Sequence, residues 1–246
     1  MKVKILGSSS SGNCYLLESS TKETLMIEAG VSDKEIKKAL NFDISNVTGC
    51  IITHCHKDHS GYVQKLLDAG IDCYMSKGTK EELGLNHHRA IILPQNEVQT
   101  IGAYKVATFN IQHDCKEPVG FLIYHKEMGL MLFATDTYYL EYLFEDLNNV
   151  FIECNYAKDI LNKNTELGLI NKLLRNRTLK SHFELENVKT FLKANDLSRV
   201  RNICLMHLSD NNSDAERFKR EIEELTHKNV VIADKGVEID LDLFPF

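Results

Sequence analysis

The 246-residue chain carries 29 Lys/Arg against 35 Asp/Glu, a net charge of −6, and 43% of its residues are apolar. That length and apolar share suffice for one large packed domain and exclude a disordered or fibrous chain. The longest apolar runs are strand-sized, the stretch Met1–Gly7 turns polar too early for an export signal, and seven cysteines show no pairing framework. A cytoplasmic protein with reduced thiols and no membrane span is expected.

In chain order, β-rich runs are predicted at 2–7, 13–18, 24–29, 48–53, 90–93, 97–112, 119–125 and 130–135. Helices interrupt them: Ser32 and Glu35 have capping-box spacing before an amphipathic stretch to Leu40, and a second helix spans about 62–69 and stops at Gly70. The second half is more helical. Helices are expected at 138–147, 157–175, 184–195 and 214–227, the last with a capping-box signal at Ser213 and Glu216. Strands at 150–154, 202–206, 230–233 and 236–241 alternate with them. The pattern lacks a strict βαβ alternation and points to sheets packed face to face with helices outside. Three prolines and no Gly/Ser/Pro-rich linker make residues 1–246 a single domain.

The chemistry concentrates in His54-Cys55-His56-Lys57-Asp58-His59, directly after the apolar run Cys50-Ile51-Ile52-Thr53. Three imidazoles and a carboxylate so close together are too costly to bury for packing alone. They are the ligand types of a metal site. Three further strands also empty into ligand-type side chains: 106–112 into His113, 130–135 into Asp136, and 203–206 into His207. Strand ends on one rim of a sheet pair hold a site rigidly. His54, His56 and His113 make one three-imidazole set. Asp58, His59 and His207 supply a second, and Asp136 can bridge the two with its carboxylate oxygens. Two divalent cations about 4 Å apart lower the pKa of a shared water to roughly 7 and clamp the attacking and leaving oxygens of a substrate. A nitrogen and oxygen set without thiolate suits Zn, Mn or Fe rather than Mg or Ca.

This arrangement resembles the metallo-β-lactamase superfamily. Within it, Leu6-Gly7-Ser8-Ser9-Ser10-Ser11-Gly12-Asn13, Thr53-His54, His113-Asp114, Glu117-Pro118-Val119-Gly120, Thr135-Asp136 and His207-Leu208-Ser209 are similar to the YycJ (WalJ/VicX) branch of exonuclease-like proteins. The resemblance implies an α+β fold, the αββα sandwich of two mixed sheets face to face with helices outside. It also implies the metal roles of His54, His56, Asp58, His59, His113, Asp136 and His207, with two divalent ions, Zn or Mn. Comparison with the RNase Z group implies a catalytic role for His182 beside Asp58, with His182 expected at the N-terminus of the 184–195 helix, where phosphate oxygens are attracted. There it would protonate the departing oxygen.

The segment 170–201 holds eight Lys/Arg against Glu184, Glu186 and Asp196, a local +5 that leaves −11 for the remainder. A basic face can steer a polyanion, and Arg175, Arg177 and Lys180 are the expected substrate contacts. The functional expectation is a metal-dependent phosphodiesterase, an exonuclease-like nuclease acting on DNA rather than RNA; the oligomeric state stays open. The alternative keeps the site and changes the substrate to a thioester, lactam or small phosphodiester. A di-iron oxygen reductase fits less well, since that group has Glu where His56 stands. A binding module without catalysis is opposed by the full set of seven ligand positions.

Two departures from the family pattern stand out. Glu28 replaces the common Asp and is expected to hold the metal loop through hydrogen bonds. Glu184 is expected to add negative charge near an incoming phosphate. Cys55 and Cys115 are expected in packing, and His87, His88, His125 and His227 at the surface.

Overall fold

Along the strand Gly12–Glu18, Tyr15 and Leu17 enter one apolar cluster while Cys14 and Leu16 enter another, and all four are buried. This is the two-residue period of a strand covered on both faces. Phe151 and its neighbours Val150 and Ile152 divide in the same way, as do Cys204 and its neighbours Ile203 and Leu205. Three apolar layers result. One lies between two sheets, and one lies between each sheet and its outer helices. The computed structural model describes residues 1–244.

The first sheet contains β1 (Lys2–Ser9), β2 (Gly12–Glu18), β3 (Thr24–Ile27), β4 (Val47–Ile51), β5 (Cys73–Met75), β6 (Ala90–Ile92) and β14 (Glu238–Asp240), which pairs with β1. The second runs from β7 (Val98–Ile101) through β8 (Tyr104–Asn110), β9 (Val119–His125), β10 (Gly129–Ala134), β11 (Leu147–Glu153) and β12 (Asn202–Met206) to β13 (Asn229–Ile232). Both sheets are mixed. Strands β3 to β6 are parallel, as are β10 to β13, and the other pairs are antiparallel. Helices α1 (Asp33–Ala39) and α3 (Val63–Asp68) cover the first sheet, and α7 (Leu185–Ala194) and α8 (Ala215–Thr226) cover the second. The expected αββα sandwich is what forms. Among the described residues, no helix is long and apolar enough to cross a membrane.

Several expectations need correction. The predicted strand 97–112 is a hairpin, β7 and β8, because Gly102 turns at φ +56° between the paired residues Ile101 and Tyr104. The predicted helix 157–175 is two helices, α5 (Lys158–Glu166) and α6 (Lys172–Ser181). Gly168, at φ +72°, ends the first, and the Asn171 side chain caps the second by accepting from Leu174 N at 2.8 Å. No helix forms over 138–147. Leu140 and Phe144 are buried four residues apart, which imitates a helical period. The backbone there is instead claimed from outside: Thr137 Oγ1 donates to the Tyr139 carbonyl, and Phe144 N donates to Asn195 Oδ1. Asp214, not Ser213, caps α8. The short elements β5, α2 (Lys57–Ser60) and α4 (Lys77–Glu82) were not anticipated. His125 is buried against Tyr104 rather than exposed.

Candidate metal centre and active site

The parallel register of β10, β11 and β12 places their C-terminal ends in one row, with Ala134 opposite Ile152 and Glu153 opposite Met206. The residues just beyond therefore share a rim: Asp136 after β10, Glu153 at the end of β11, and His207 after β12. From the other sheet, β4 delivers His54, and the turn into α2 carries His56, Asp58 and His59. His113 follows β8.

Three donor sets form where these ends meet, one of them Asp136, Glu153, His182 and His207. His54, His56 and His113 bring ligand atoms within 4.8 Å of one another, and Asp58, His59, Asp136 and His207 do the same. Asp136 spans both. Its Oδ1 lies 3.4 Å from His59 Nε2 and 3.8 Å from His207 Nε2, while Oδ2 lies 3.6 Å from His113 Nε2 and 3.9 Å from His54 Nε2.

Outer contacts fix how the rings face. Thr53 Oγ1 lies 2.9 Å from His54 Nδ1 and donates to Glu28 at 2.5 Å. His113 Nδ1 meets the Ser181 carbonyl at 3.0 Å, which turns Nε2 toward the cluster. Asn155 Nδ2 donates to the His207 carbonyl at 2.7 Å, and His207 N donates to Ser8 Oγ at 3.0 Å. The end of β1 thus ties the first sheet to the residue that follows β12. Glu28, fully buried, also faces His59 Nδ1 at 3.4 Å, in keeping with its expected role.

The backbone is strained at the centre. Glu28 (φ +67°), Asp136 (φ +47°) and His207 (φ +52°) are all left-handed. Such conformations cost about 1–3 kcal/mol each and persist where the surroundings enforce them. Gly30 is required for a different reason: a Cβ there would stand 1.7 Å from the Asp58 carbonyl oxygen and 2.7 Å from Asn13 N. The ligand turn seats on bare backbone.

Electrostatics follow from burial and pairing. Burial pushes His54 well below the ordinary imidazole range and His113 down to about 4, favouring the neutral form that ligates cations. Burial alone would raise Asp58, yet His207 and His59 beside it hold its carboxyl below the usual range.

Glu153 is the functional candidate that sequence reasoning missed. It is fully buried, accepts from Thr137 N at 2.9 Å and Phe183 N at 3.1 Å, and meets His182 Nδ1 at 2.6 Å. Its signal was the one already used elsewhere, an apolar strand ending in a ligand-type residue. Burial opposes charge on His182, but the Glu153 carboxylate outweighs it and raises the imidazole to about 9. The His182 ring stacks 5.6 Å from His207 and stands 5.8 Å from His113.

His182 reaches this place differently from expectation. It is the C-terminal cap of α6, not a residue at a free helix N-terminus. The N-terminus of α7 is closed by Glu184, whose carboxylate accepts from Glu186 N and Asn187 N. That carboxylate is therefore spent on capping and turned from the cavity.

A cavity of about 360 Å³ lies over the donors and is bordered also by Ser10, Lys57, Leu174, Arg177 and His182. Of the expected substrate contacts, Arg177 borders it, with Nε 3.3 Å from Asp114. Lys180 borders an adjoining hollow. Arg175 is turned away, its guanidinium donating to Asn162 Oδ1 at 2.8 and 3.1 Å. The +5 segment is not one face. Lys189 pairs with Glu186 and Glu221 and Arg199 with Asp146, so only α6 presents its charge to the site. Cys55 is half-buried, with Sγ 3.1 Å from Glu82.

The family model described as the metallo-beta-lactamase superfamily matches residues 9–129, which include His54 to His59, His113 and the strands β2 to β9. Over that span the chain is similar to the metallo-beta-lactamase superfamily. Among curated members similar to it, "Exodeoxyribonuclease WalJ" of Streptococcus pneumoniae serotype 2 (strain D39 / NCTC 7466) is 29% identical, over 99% of this chain and 93% of that protein. "Exodeoxyribonuclease YycJ" of Bacillus anthracis is 24% identical, over 90% of this chain and 87% of that protein. The superfamily fold is shared with YhfI from Bacillus subtilis, a solved structure with a TM-score of 0.72 at 15% identity, covering 97% of this chain and 99% of that one. These likenesses and the clustered His and Asp donors make the protein a metal-dependent hydrolase that uses divalent cations.

The residues present fit such cations. His54 Nε2 is buried without a hydrogen-bond partner, and His56 Nδ1 and His113 Nε2 face each other at 3.0 Å although His113 Nδ1 already has its own acceptor. Converging acceptor nitrogens beside a bridging carboxylate suit a positive ion.

Proposed function

We propose that the protein is a metal-dependent phosphodiesterase acting on nucleic acid, an exonuclease-like enzyme that prefers DNA to RNA. The observation that carries this reading is the Glu153–His182 pair, an imidazole held 2.6 Å from a buried carboxylate over two donor sets inside a cavity edged by Lys57 and Arg177. The exodeoxyribonuclease names of the similar proteins support it.

In this reading His54, His56 and His113 would hold one cation, Asp58, His59 and His207 would hold a second, and Asp136 could serve either. Zinc or manganese in these sets would polarise the phosphate and make water acidic enough to react near neutral pH. Arg177 and Lys57 draw the phosphate oxygens into the cavity. Asp58, its side chain partly exposed, accepts the proton released as water attacks. His182 gives its proton to the departing oxygen, and Glu153 holds the ring and its charge for that step. Both sheets supply residues to this one centre, which supports reading the chain as a single hydrolase domain. Seven free thiols suit a reducing cytoplasmic setting.

The test is a cleavage time course on end-labelled single- and double-stranded DNA and RNA, with zinc and with manganese, beside an Asp58→Ala control. Metal-dependent DNA cleavage absent from the control is the expected result. Intact oligonucleotides with a fully loaded protein would turn the reading to a small-substrate hydrolase.

A further inference from the structure

The cavity over the donors opens on two flanks of opposite character. One continues past His113 into a hollow of about 630 Å³ edged by Arg177, Lys180, Tyr138, Gln112 and Asp114, where two cations outweigh the one carboxylate. The other is a hollow of about 310 Å³ that shares His182, His207 and Leu174 with the central cavity. Its walls are Leu169, Ile170, Leu174 and Leu208, and its floor is the turn from Ser209 to Asn212. Among the described residues no lysine or arginine borders it, and Asp210 is the one formal charge outside the catalytic cluster.

This second hollow has no evident task in packing. Leu169 is 72% exposed and Leu174 49%, apolar side chains standing in the open beside a reactive centre. The floor is nonetheless built. Asn164 Nδ2 donates to the Asn211 carbonyl at 2.7 Å, Ala157 N donates to the Asn212 carbonyl at 3.0 Å, and Ser213 Oγ donates to the Ser209 carbonyl at 2.6 Å. These bonds hold the turn through its backbone and leave the Asp210 and Asn211 side chains exposed at the cavity.

We propose that this hollow receives the terminal nucleoside of the strand, on the far side of the scissile phosphate from the basic flank. The proposal rests on the nuclease reading above and extends it to how the strand end is recognised. The volume lies at the small end of ligand pockets, which suits one nucleoside. The leucine walls offer flat apolar contact to a base of any identity, while Ser209 and Asn211 can bond the sugar or the base edge. The charge pattern sets the direction. Arg177 and Lys180 match the phosphates of the continuing strand, whereas a phosphate in the second hollow would meet Asp210 and no cation. A terminal phosphate carries about −1.5 to −2 charges and would be left unpaired there. The site therefore takes a hydroxyl-ended strand. Water adds to the scissile phosphorus, the bond to the continuing strand's oxygen breaks, and that oxygen takes the proton. The phosphate leaves with the terminal nucleoside as one mononucleotide, and the strand again ends in a hydroxyl.

The test uses short single-stranded DNA oligonucleotides carrying either hydroxyl or phosphate at each end, with bis(p-nitrophenyl) phosphate as a small diester, on the manganese-loaded full chain. Mononucleotides should be the first products, and the end attacked should react about tenfold faster as a hydroxyl than as a phosphate. Asp210→Asn should bring that ratio close to unity. Leu169→Asn should raise KM for the oligonucleotide about tenfold relative to its effect on the small diester, as expected for losing an apolar contact. Both side chains are exposed, so neither change threatens folding. Oligonucleotide cleavage that is internal, indifferent to the terminal group, or unaltered in selectivity by both variants would overturn the subsite alone. Turnover of the small diester with no oligonucleotide cleavage at all would overturn the nuclease reading and the subsite with it.

Discussion

Glu153 Oε1 and His182 Nδ1 are 2.6 Å apart, and the other carboxylate oxygen is bound by two backbone amides, Thr137 N and Phe183 N. The carboxylate can neither rotate nor meet solvent, so the imidazole is held in one orientation with its remaining nitrogen free for the cavity. His182→Ala should lower kcat on DNA at least about a hundredfold, the usual contribution of a positioned acid. Metal content measured by elemental analysis should be unchanged. Unchanged turnover would remove His182 from the reaction.

Glu153 acts through His182, so its replacement should be visible without any assay of activity. In metal-free protein the His182 imidazole should titrate near pH 9, and Glu153→Gln should bring it down toward the ordinary value near 6.5, followed by NMR. Because the folded pKa lies above the unfolded one, the ion pair favours the native state fully below about pH 6.5, and that contribution fades as pH rises through about 9. The Gln variant should lose this pH dependence of stability.

Glu28 is buried, left-handed, and bound to Thr53 and His59. Glu28→Ala leaves the Thr53 amide and hydroxyl without their acceptor, which should cost about 1–3 kcal/mol in denaturant unfolding. Loss of support for two donor residues should also weaken metal binding roughly 10- to 100-fold, measured by competition with a chelator. A variant with wild-type affinity would reduce Glu28 to a packing role.

Cation removal should lower the melting temperature as well as abolish turnover. The two sets gather His54, His59, Asp136 and His207 in a buried interior where ring nitrogens of His54 and His59 have no hydrogen-bond partner. At a hundredfold excess of ligand over its Kd, binding contributes about 2.7 kcal/mol to the native state. Scanning calorimetry with and without chelator measures this; equal melting temperatures would mean the donors hold no ion.

Gly30→Ala should be more damaging than any other single methyl group added near the centre. The new Cβ would fall on the Asp58 carbonyl, and both partners are backbone. Soluble yield and metal stoichiometry should fall together.

Much of this was legible in the residues. The donor strands announce themselves because apolar runs ending in His or Asp have no packing explanation, and the helices at 33 and 215 carry short polar caps. Glu153 escaped notice since a glutamate after Ile152 resembles an ordinary exposed strand end until the chain from Phe183 folds over it. The 138–146 segment misled for the opposite reason, as its helical spacing is real but its backbone is claimed by Asn195 and Thr137. Arg175 shows the limit of counting charge, because a step of two residues along α6 separates a guanidinium at the cavity from one facing Asn162 on the opposite side.

The common register of β10, β11 and β12 has an evolutionary consequence. The sandwich interior, with Phe121, Phe133 and Phe151, lies below the rim and is indifferent to which polar residue follows each strand. Individual positions in that row can be exchanged without repacking the interior, and the turns beyond them can lengthen or change charge independently. Selection can thus retune substrate choice one rim residue at a time, while inheritance of the scaffold proceeds untouched.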